Sequence, residues 1–178
     1  MTQRQHPIAW YQPGKIIKAR NRMDRGYSYR LEVAYGDMPL DFQPMSPQDI
    51  LHQGVFEGKY LTDCRGEFPK EWYAGAPMVP TGNPPDISLN KYGIKARQPL
   101  RTWKENGWIL GPDNRGWFQW YCRYYLGRRI PELDKKQIAR WKSFKARHLG
   151  QLRYHLAKNH NVQKQRQALL QWGIDPEI

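Results

Sequence analysis

The sequence feature that most constrains the fold is an aromatic run in the second half of the chain. Six of the ten residues from Trp117 to Leu126 are aromatic, and Gly127 follows them. A helix drawn through this run, at about 3.6 residues per turn, carries rings on more than one side. Helices that are apolar on several sides lie buried among other elements. The run therefore predicts the central helix of an aromatic core.

One face of this helix has a second interpretation. Tyrosine and tryptophan combine an apolar ring with a polar tip, which suits them to line a pocket as well as a core. Rings of this kind hold a flipped base or a single strand, with arginine stacking beside them. Both interpretations stay open for four residues of this face, namely Trp117, Trp120, Tyr121 and Tyr124.

The rest of the chain predicts a mainly α fold, of the α+β kind, with a small β element. Two short runs of β-branched and aromatic residues, 15–20 and 27–35, predict one N-terminal hairpin. Glycine and proline signals divide the chain after Pro99 into four helices, and the longest begins at Pro131. The loop over residues 75–86 holds four prolines and two glycines and connects the two parts. We therefore expect a helical C-terminal half packed with a small N-terminal hairpin or irregular element.

The positive charge is concentrated in one half of the chain. The 178 residues carry a formal net charge of +13 and fit a single domain, 1–178. Residues 1–94, the mixed β and irregular part, hold 11 Lys/Arg and 10 Asp/Glu and are nearly neutral. Residues 95–178, the helical part, hold 18 Lys/Arg and 6 Asp/Glu. This asymmetry indicates an anionic partner such as DNA or RNA, against the plainer alternative of a solvated basic surface.

The long helix offers a row of cations. Ile138, Trp141 and Leu152 belong to an apolar stripe, and the basic residues lie roughly opposite. Arg128 and Arg129 follow the aromatic helix, where arginines suit either phosphate contacts or neutralisation of the helix C-terminus. The predicted nucleic-acid contacts are Arg115, Arg123, Arg128, Arg129, Lys136, Arg140, Arg147 and Arg153.

A glycine-bearing segment earlier in the chain holds the candidate catalytic residues, Tyr60, Asp63 and Glu67. A carboxylate beside an aromatic pocket suits base excision, where it stabilises positive charge on a sugar or orients water. Clustered carboxylates can instead hold Mg²⁺ for phosphodiester hydrolysis. Either chemistry requires this segment to meet the aromatic helix in space. Apart from Mg²⁺ in the nuclease alternative, no cofactor or metal site is predicted.

Other function classes lack their motifs. Cys64 and Cys122 stand far apart, and the three C-terminal histidines have no acid beside them, so a zinc site is not expected. The chain has no P-loop, no dinucleotide-binding glycine motif and no G-x-S-x-G nucleophile elbow. No apolar run approaches ~20 residues, so no membrane span is predicted. Without an apolar signal region at Met1, we expect a reducing, cytoplasmic location, with nucleoid or other nucleic-acid association as an extension.

Four segments carry a resemblance to a known family: GVFEGKYLTDCRGEFPKEWYAGA, WILGPDNRGWFQWYCRYYLGRR, KKQIARWKSFKARHLGQLRYH and QRQALLQWGID. Together they resemble a widespread family of small uncharacterised proteins in bacteria, some viruses and some eukaryotes. The resemblance covers roughly residues 41–175, and the segment GWFQWYCRYYLGRR is its most specific part. It implies a single compact domain and assigns no catalytic residue.

These patterns support three hypotheses about function. The first is binding of DNA or RNA by a basic helical surface and an aromatic cluster. The second is an enzyme that acts on nucleic acid or nucleotides, with Asp63 and Glu67 beside the aromatic pocket. The third is an interaction module that docks on an acidic protein or ribosomal surface.

Overall fold

The computed structural model describes residues 4–177, and their fold is mainly α with a small β hairpin, as the sequence predicts. The ends of the predicted domain, residues 1–3 and 178, lie outside the described residues. In chain order the elements are β1 (Ile16–Lys18), β2 (Ser28–Arg30), α1 (Pro47–Gln53), α2 (Lys70–Tyr73), α3 (Leu100–Glu105), α4 (Trp117–Leu126), α5 (Pro131–Ala157) and α6 (Gln163–Leu170).

The hairpin pairs β1 and β2 in antiparallel register, with Ile17 opposite Tyr29. Both of these side chains point inward while their neighbours along each strand are exposed, which is the alternation expected of a half-buried sheet. The strands are shorter than the runs that predict them. After β2 the backbone turns to another element, because the N–H groups of Glu32 and Val33 donate to the carbonyl of Gly127 at the end of α4.

Local sequence signals set the helix ends. The Ser46 hydroxyl accepts a hydrogen bond from the backbone N–H of Asp49 (3.1 Å), and Pro47 occupies the first turn of α1. Gly127 ends α4 with a φ of 122°, and a Cβ there would lie 2.3 Å from the carbonyl oxygen of Val33. Only glycine fits this close approach.

The core is aromatic and is centred on α4, as the aromatic run predicts. The Phe42 ring lies within 5.1–6.4 Å, centroid to centroid, of five other rings: Trp117, Trp120, Tyr121, Tyr124 and Trp141. Phe42 comes from the near-neutral half of the chain, and the same core cluster extends from Tyr11 to Ile174. The boundary near residue 94 therefore separates regions of different charge and not different packing units.

Helix α5 begins beside α4 and is held there by a buried carboxylate. The side chain of Asp134 accepts hydrogen bonds from the Trp120 indole N–H (2.8 Å) and from the backbone N–H of Ile130 (2.7 Å). Because the second bond caps the helix start, one residue fixes both the beginning of α5 and its position on α4. Within residues 4–177 no helix combines the length and the apolar composition that crossing a bilayer requires.

Candidate functional site

Two adjoining pockets lie on one face of the molecule. The large pocket has a volume of about 720 Å³ and is lined by the start of α4, by one side of α5 and by the end of α6. The small pocket has a volume of about 470 Å³ and is lined by the segment that holds Tyr60 and Asp63. Both pockets have Phe56, Gln98 and Trp103 in their walls. The two pockets therefore adjoin each other, and we call them together the groove.

Stacked rings form a wall of the large pocket. His148 stacks on Phe144 (3.8 Å between centroids), and Phe144 stacks on Trp172 (4.5 Å). Trp172 in turn lies 4.8 Å from Trp117 of α4. The first two rings meet because residues four apart in α5 lie on the same side of the helix. Burial and the nearby charge of Arg147 lower the pKa of His148, so its ring is neutral at pH 7 and continues the apolar wall.

Two arginines of α5 stand at the large pocket. Arg140 is fixed in place, because its Nη1 donates to the carbonyl of Trp108 (3.1 Å) and to the Gln137 side chain (2.8 Å). Arg147 is exposed, and among residues 4–177 its side chain has no hydrogen bond or ion pair. Lys136 lies one turn before Arg140 on the same side of the helix and is exposed. Arg140 and Arg147 form a basic rim at the large pocket, and Lys136 lies beyond its lining along α5.

Trp103 separates the two pockets, and a glycine makes room for it. A Cβ at Gly116 would lie 2.8 Å from the Trp103 ring. Gly116 also has φ 91° and ψ −161°, a backbone region that is essentially restricted to glycine. The residue before α4 is therefore glycine for two reasons, the backbone conformation and the packing of the ring shared by both pockets.

The structure brings Tyr60 and Asp63 to the aromatic helix, as the enzyme hypothesis requires. The Tyr60 hydroxyl donates to the carbonyl of Arg115 (2.6 Å), and the Tyr60 ring lies 5.3 Å from that of Phe118. Asp63 forms a two-pronged ion pair with Arg115, with both N···O distances 2.8 Å. Burial raises the pKa of Asp63, but the hydrogen bonds and charge of Arg115 outweigh it and hold the pKa below its usual value. Asp63 is thus a paired carboxylate that stays ionised and is unsuited to act as a general acid.

Glu67 does not join this pocket, and its catalytic assignment is wrong. Its side chain is 1% exposed and accepts from Arg123 (2.7 Å to Nε) and from the Tyr29 hydroxyl (2.9 Å). It has no surface on which to meet a substrate. Among the described residues, no three His, Cys, Asp or Glu side chains are grouped so that they could hold a metal ion.

Two of the predicted phosphate ligands are also buried, and their assignment is corrected. Arg123 is 0% exposed and ion-pairs with Glu67, Asp24 and Asp113, while Arg128 is 2% exposed and pairs with Asp113 at 2.7 Å. A buried guanidinium surrounded by carboxylates cannot reach a phosphate at the surface. These residues, which we call the buried ion network, hold the hairpin, α4 and the loop before α4 together.

Of the four residues of α4 predicted as a possible aromatic pocket, three belong to the core instead. Trp120, Tyr121 and Tyr124 are 4% exposed or less, and none of them lines the groove. Phe42 packs against all three, which fills the space that a base would need. Trp117 is also buried, but part of its ring lines the large pocket.

The remaining predicted cations have different surroundings. Arg129 neutralises the C-terminus of α4, the alternative named above, because its Nη1 donates to the carbonyl of Tyr124 (2.7 Å). Arg153 is exposed, but it lies about 120° around α5 from Arg147, since each residue advances a helix by about 100°. Arg115 lines the small pocket while paired to Asp63.

The hairpin carries a cluster of cations that a charge count over the two halves of the chain does not reveal. Residues 15–30 contain six Lys/Arg and one acid, Asp24, which is buried in the ion network. All six basic residues are exposed, and Arg22 lines the small pocket. A charge count in a window of this length would have found the cluster, whereas averaging over residues 1–94 concealed it. Nothing local in the sequence singled out Trp103 or Trp172 as pocket walls.

Comparisons with protein-family models, with curated proteins and with solved structures found no match to this chain. The resemblance inferred for residues 41–175 stays a prediction. The functional proposal therefore depends on the groove itself.

Proposed function

We propose that the protein binds nucleic acid, DNA or RNA, in the groove. The observation that carries this proposal is the combination of ring-lined walls with a cationic rim on the same face. Aromatic walls accept bases by stacking, and a positively charged border follows the phosphate backbone.

The placement of charge supports a polyanion in particular. Arg147 stands at the large pocket and Arg22 at the small one, and among the described residues neither side chain has an acidic partner. The hairpin carries five more exposed cations besides Arg22. A ligand with regularly spaced negative charges can contact cations at both pockets, whereas a single small anion cannot.

The other two hypotheses have less support. An enzyme would lack its carboxylates, because Glu67 is buried and both oxygens of Asp63 are bonded to Arg115. An acidic protein would use the cations but would leave the stacked rings of the large pocket without a role.

The experiment is a titration of a fluorescently labelled single-stranded DNA or RNA of about 12 nucleotides, followed by anisotropy at several salt concentrations. We expect binding that weakens steeply with salt, as release of counterions requires. Arg147→Gln is expected to weaken binding and to reduce the slope of log K against log salt by about 1.

Arg153→Gln is the matched control, since it removes the same charge from the same helix outside the groove. Equal effects of the two variants would show that the groove is not the site. No binding of either nucleic acid at low salt would refute the proposal altogether.

A further inference from the structure

We infer that the small pocket takes one unpaired nucleotide of the bound strand, so that the protein prefers single-stranded nucleic acid to duplex. This inference rests on the proposed function, because it assigns a ligand to one part of the same groove. Its first support is size, since about 470 Å³ lies within the range of about 300–1,000 Å³ found for pockets that enclose small molecules.

The walls of the small pocket are suited to a base. The Phe56 and Tyr60 rings lie 4.6 Å apart, centroid to centroid, with an angle of 31° between their planes, and Trp103 stands at the side shared with the large pocket. Met23 and Leu100 complete an apolar lining. A base that is paired and stacked in a duplex cannot enter such a pocket unless it leaves the helix, and a base in a single strand enters at much lower cost.

The mouth of the pocket is suited to the phosphate of the same nucleotide. The pocket is lined by Arg22, Lys59 and Arg97 in addition to the Asp63–Arg115 pair. Of these three cations, only Arg97 has a carboxylate partner among the described residues. Arg97 is held by buried Glu57, whose Oε2 accepts from its Nε (3.1 Å) and Nη2 (3.0 Å). Within residues 4–177 its Nη1 makes no hydrogen bond and remains available to a phosphate oxygen.

The backbone of this segment is strained in the way that is typical of a binding site. Glu57 and Leu61 have φ values of 57° and 61°, in the left-handed region that residues other than glycine rarely adopt. They flank Lys59 and Tyr60, which contribute the charge and the ring. Strain of this kind persists where the surrounding structure imposes it, and it clusters at ligand sites. The unfavourable backbone presents both side chains to one pocket.

The experiment compares three forms of one labelled sequence at the same salt concentration: the single strand, its perfect duplex, and a duplex with one bulged nucleotide. We expect the single strand to bind about 10-fold more tightly than the duplex, which corresponds to the stacking of one base on aromatic side chains. The bulge is expected to restore most of the lost affinity. A 2-aminopurine base at the bulge should change its fluorescence on binding.

Variants of two pocket residues distinguish binding in the small pocket from general electrostatic attraction. Leu100→Trp fills the small pocket without changing the charge and is expected to abolish the preference for single strands while duplex binding persists. Lys59→Gln is expected to reduce the preference, whereas Lys158→Gln, a matched loss of charge outside the groove, should leave the preference unchanged. Circular dichroism establishes that each variant is folded.

The outcomes distinguish this inference from the proposed function. Equal affinity for strand, duplex and bulge would overturn the inference while leaving nucleic-acid binding intact. A preference that survives unchanged in folded Leu100→Trp would also overturn it. Absence of binding to all three forms would instead refute the proposed function.

Discussion

Replacement of Arg123 by methionine tests the buried ion network most directly. Arg123 is 0% exposed and pairs with three carboxylates, those of Asp24, Glu67 and Asp113, at 2.7–3.3 Å. Methionine preserves much of the volume but leaves the acids in the interior with only Arg128 as a cation. Removal of one partner from a buried pair costs about 3–5 kcal/mol, because a charge is left uncompensated away from water.

The change is large enough to measure by thermal unfolding. At about 2–4 °C per kcal/mol for a chain of this size, the midpoint of Arg123→Met is expected to fall by roughly 6–20 °C at pH 7. Arg101→Met is the control, because Arg101 pairs with Glu105 at 2.7 Å while remaining 87% exposed. An exposed pair within one helix contributes about 0.5 kcal/mol or less, so this control should unfold almost as the wild type does.

The pH dependence of the stability deficit of Arg123→Met provides a second test of the buried ion network. Burial raises the pKa of Asp24, but hydrogen bonds from Asn21 and the charge of Arg123 outweigh it, so the folded pKa lies below the unfolded value of about 3.9. Its stabilising contribution is therefore present above that unfolded value and is lost as the pH falls through the folded pKa. In Arg123→Met the Asp24 carboxylate loses the charge of Arg123 and protonates at higher pH, so the stability deficit should narrow as the pH is lowered from 7 towards 4.

Two results would refute this account of the network. One is a deficit for Arg123→Met no larger than that of Arg101→Met. The other is a large deficit that stays constant between pH 7 and 4, because cavity formation without uncompensated charge would give that behaviour.

Two further predictions concern the walls of the groove. Gly116→Ala forces a Cβ towards the Trp103 ring in a backbone region essentially restricted to glycine. We therefore expect the free energy of unfolding, measured by chemical denaturation, to fall by about 1–3 kcal/mol and the Trp103 fluorescence to change. An unchanged free energy of unfolding would contradict the strain. His148→Phe removes a histidine whose pKa burial and Arg147 lower, so wild-type stability should fall as the pH drops through the unfolded value of about 6.5 while the variant shows a flatter profile between pH 7 and 5. Parallel profiles for the two proteins would show that the His148 ring is not desolvated.

Much of the fold was predictable because its signals are local. The density of rings from Trp117 to Leu126 requires burial wherever the helix lies, and α4 is indeed central to the core. Ser46 and Pro47 mark the start of α1 through hydrogen bonds and dihedral angles that span only a few residues. Such features depend on near neighbours in the chain, so a sequence pattern is sufficient to find them.

The candidate site was predictable only in part. The sequence singled out Tyr60 and Asp63 as candidate catalytic residues and Arg140 and Arg147 as phosphate contacts, and all four line the groove. The sequence placed Arg123 with the phosphate ligands. An arginine among aromatic residues has the same local sequence whether its side chain faces a ligand or a buried acid. Its partner Glu67 lies 56 residues away along the chain, and no local pattern shows that pairing.

The sequence by itself determined that the chain is mainly helical with a small hairpin, that α4 must be buried, and that excess positive charge must find an anionic partner or solvent. These properties follow from hydrophobicity, helix-end signals and net charge, which are sums over nearby residues. Only the tertiary structure decided which cations are free. Arg123 and Arg128 are neutralised by acids from distant segments, whereas Arg22 and Arg147 stand at the groove without such partners among residues 4–177. The physical reason is that the interaction of two charges depends on their separation and burial in space, and folding alone sets both.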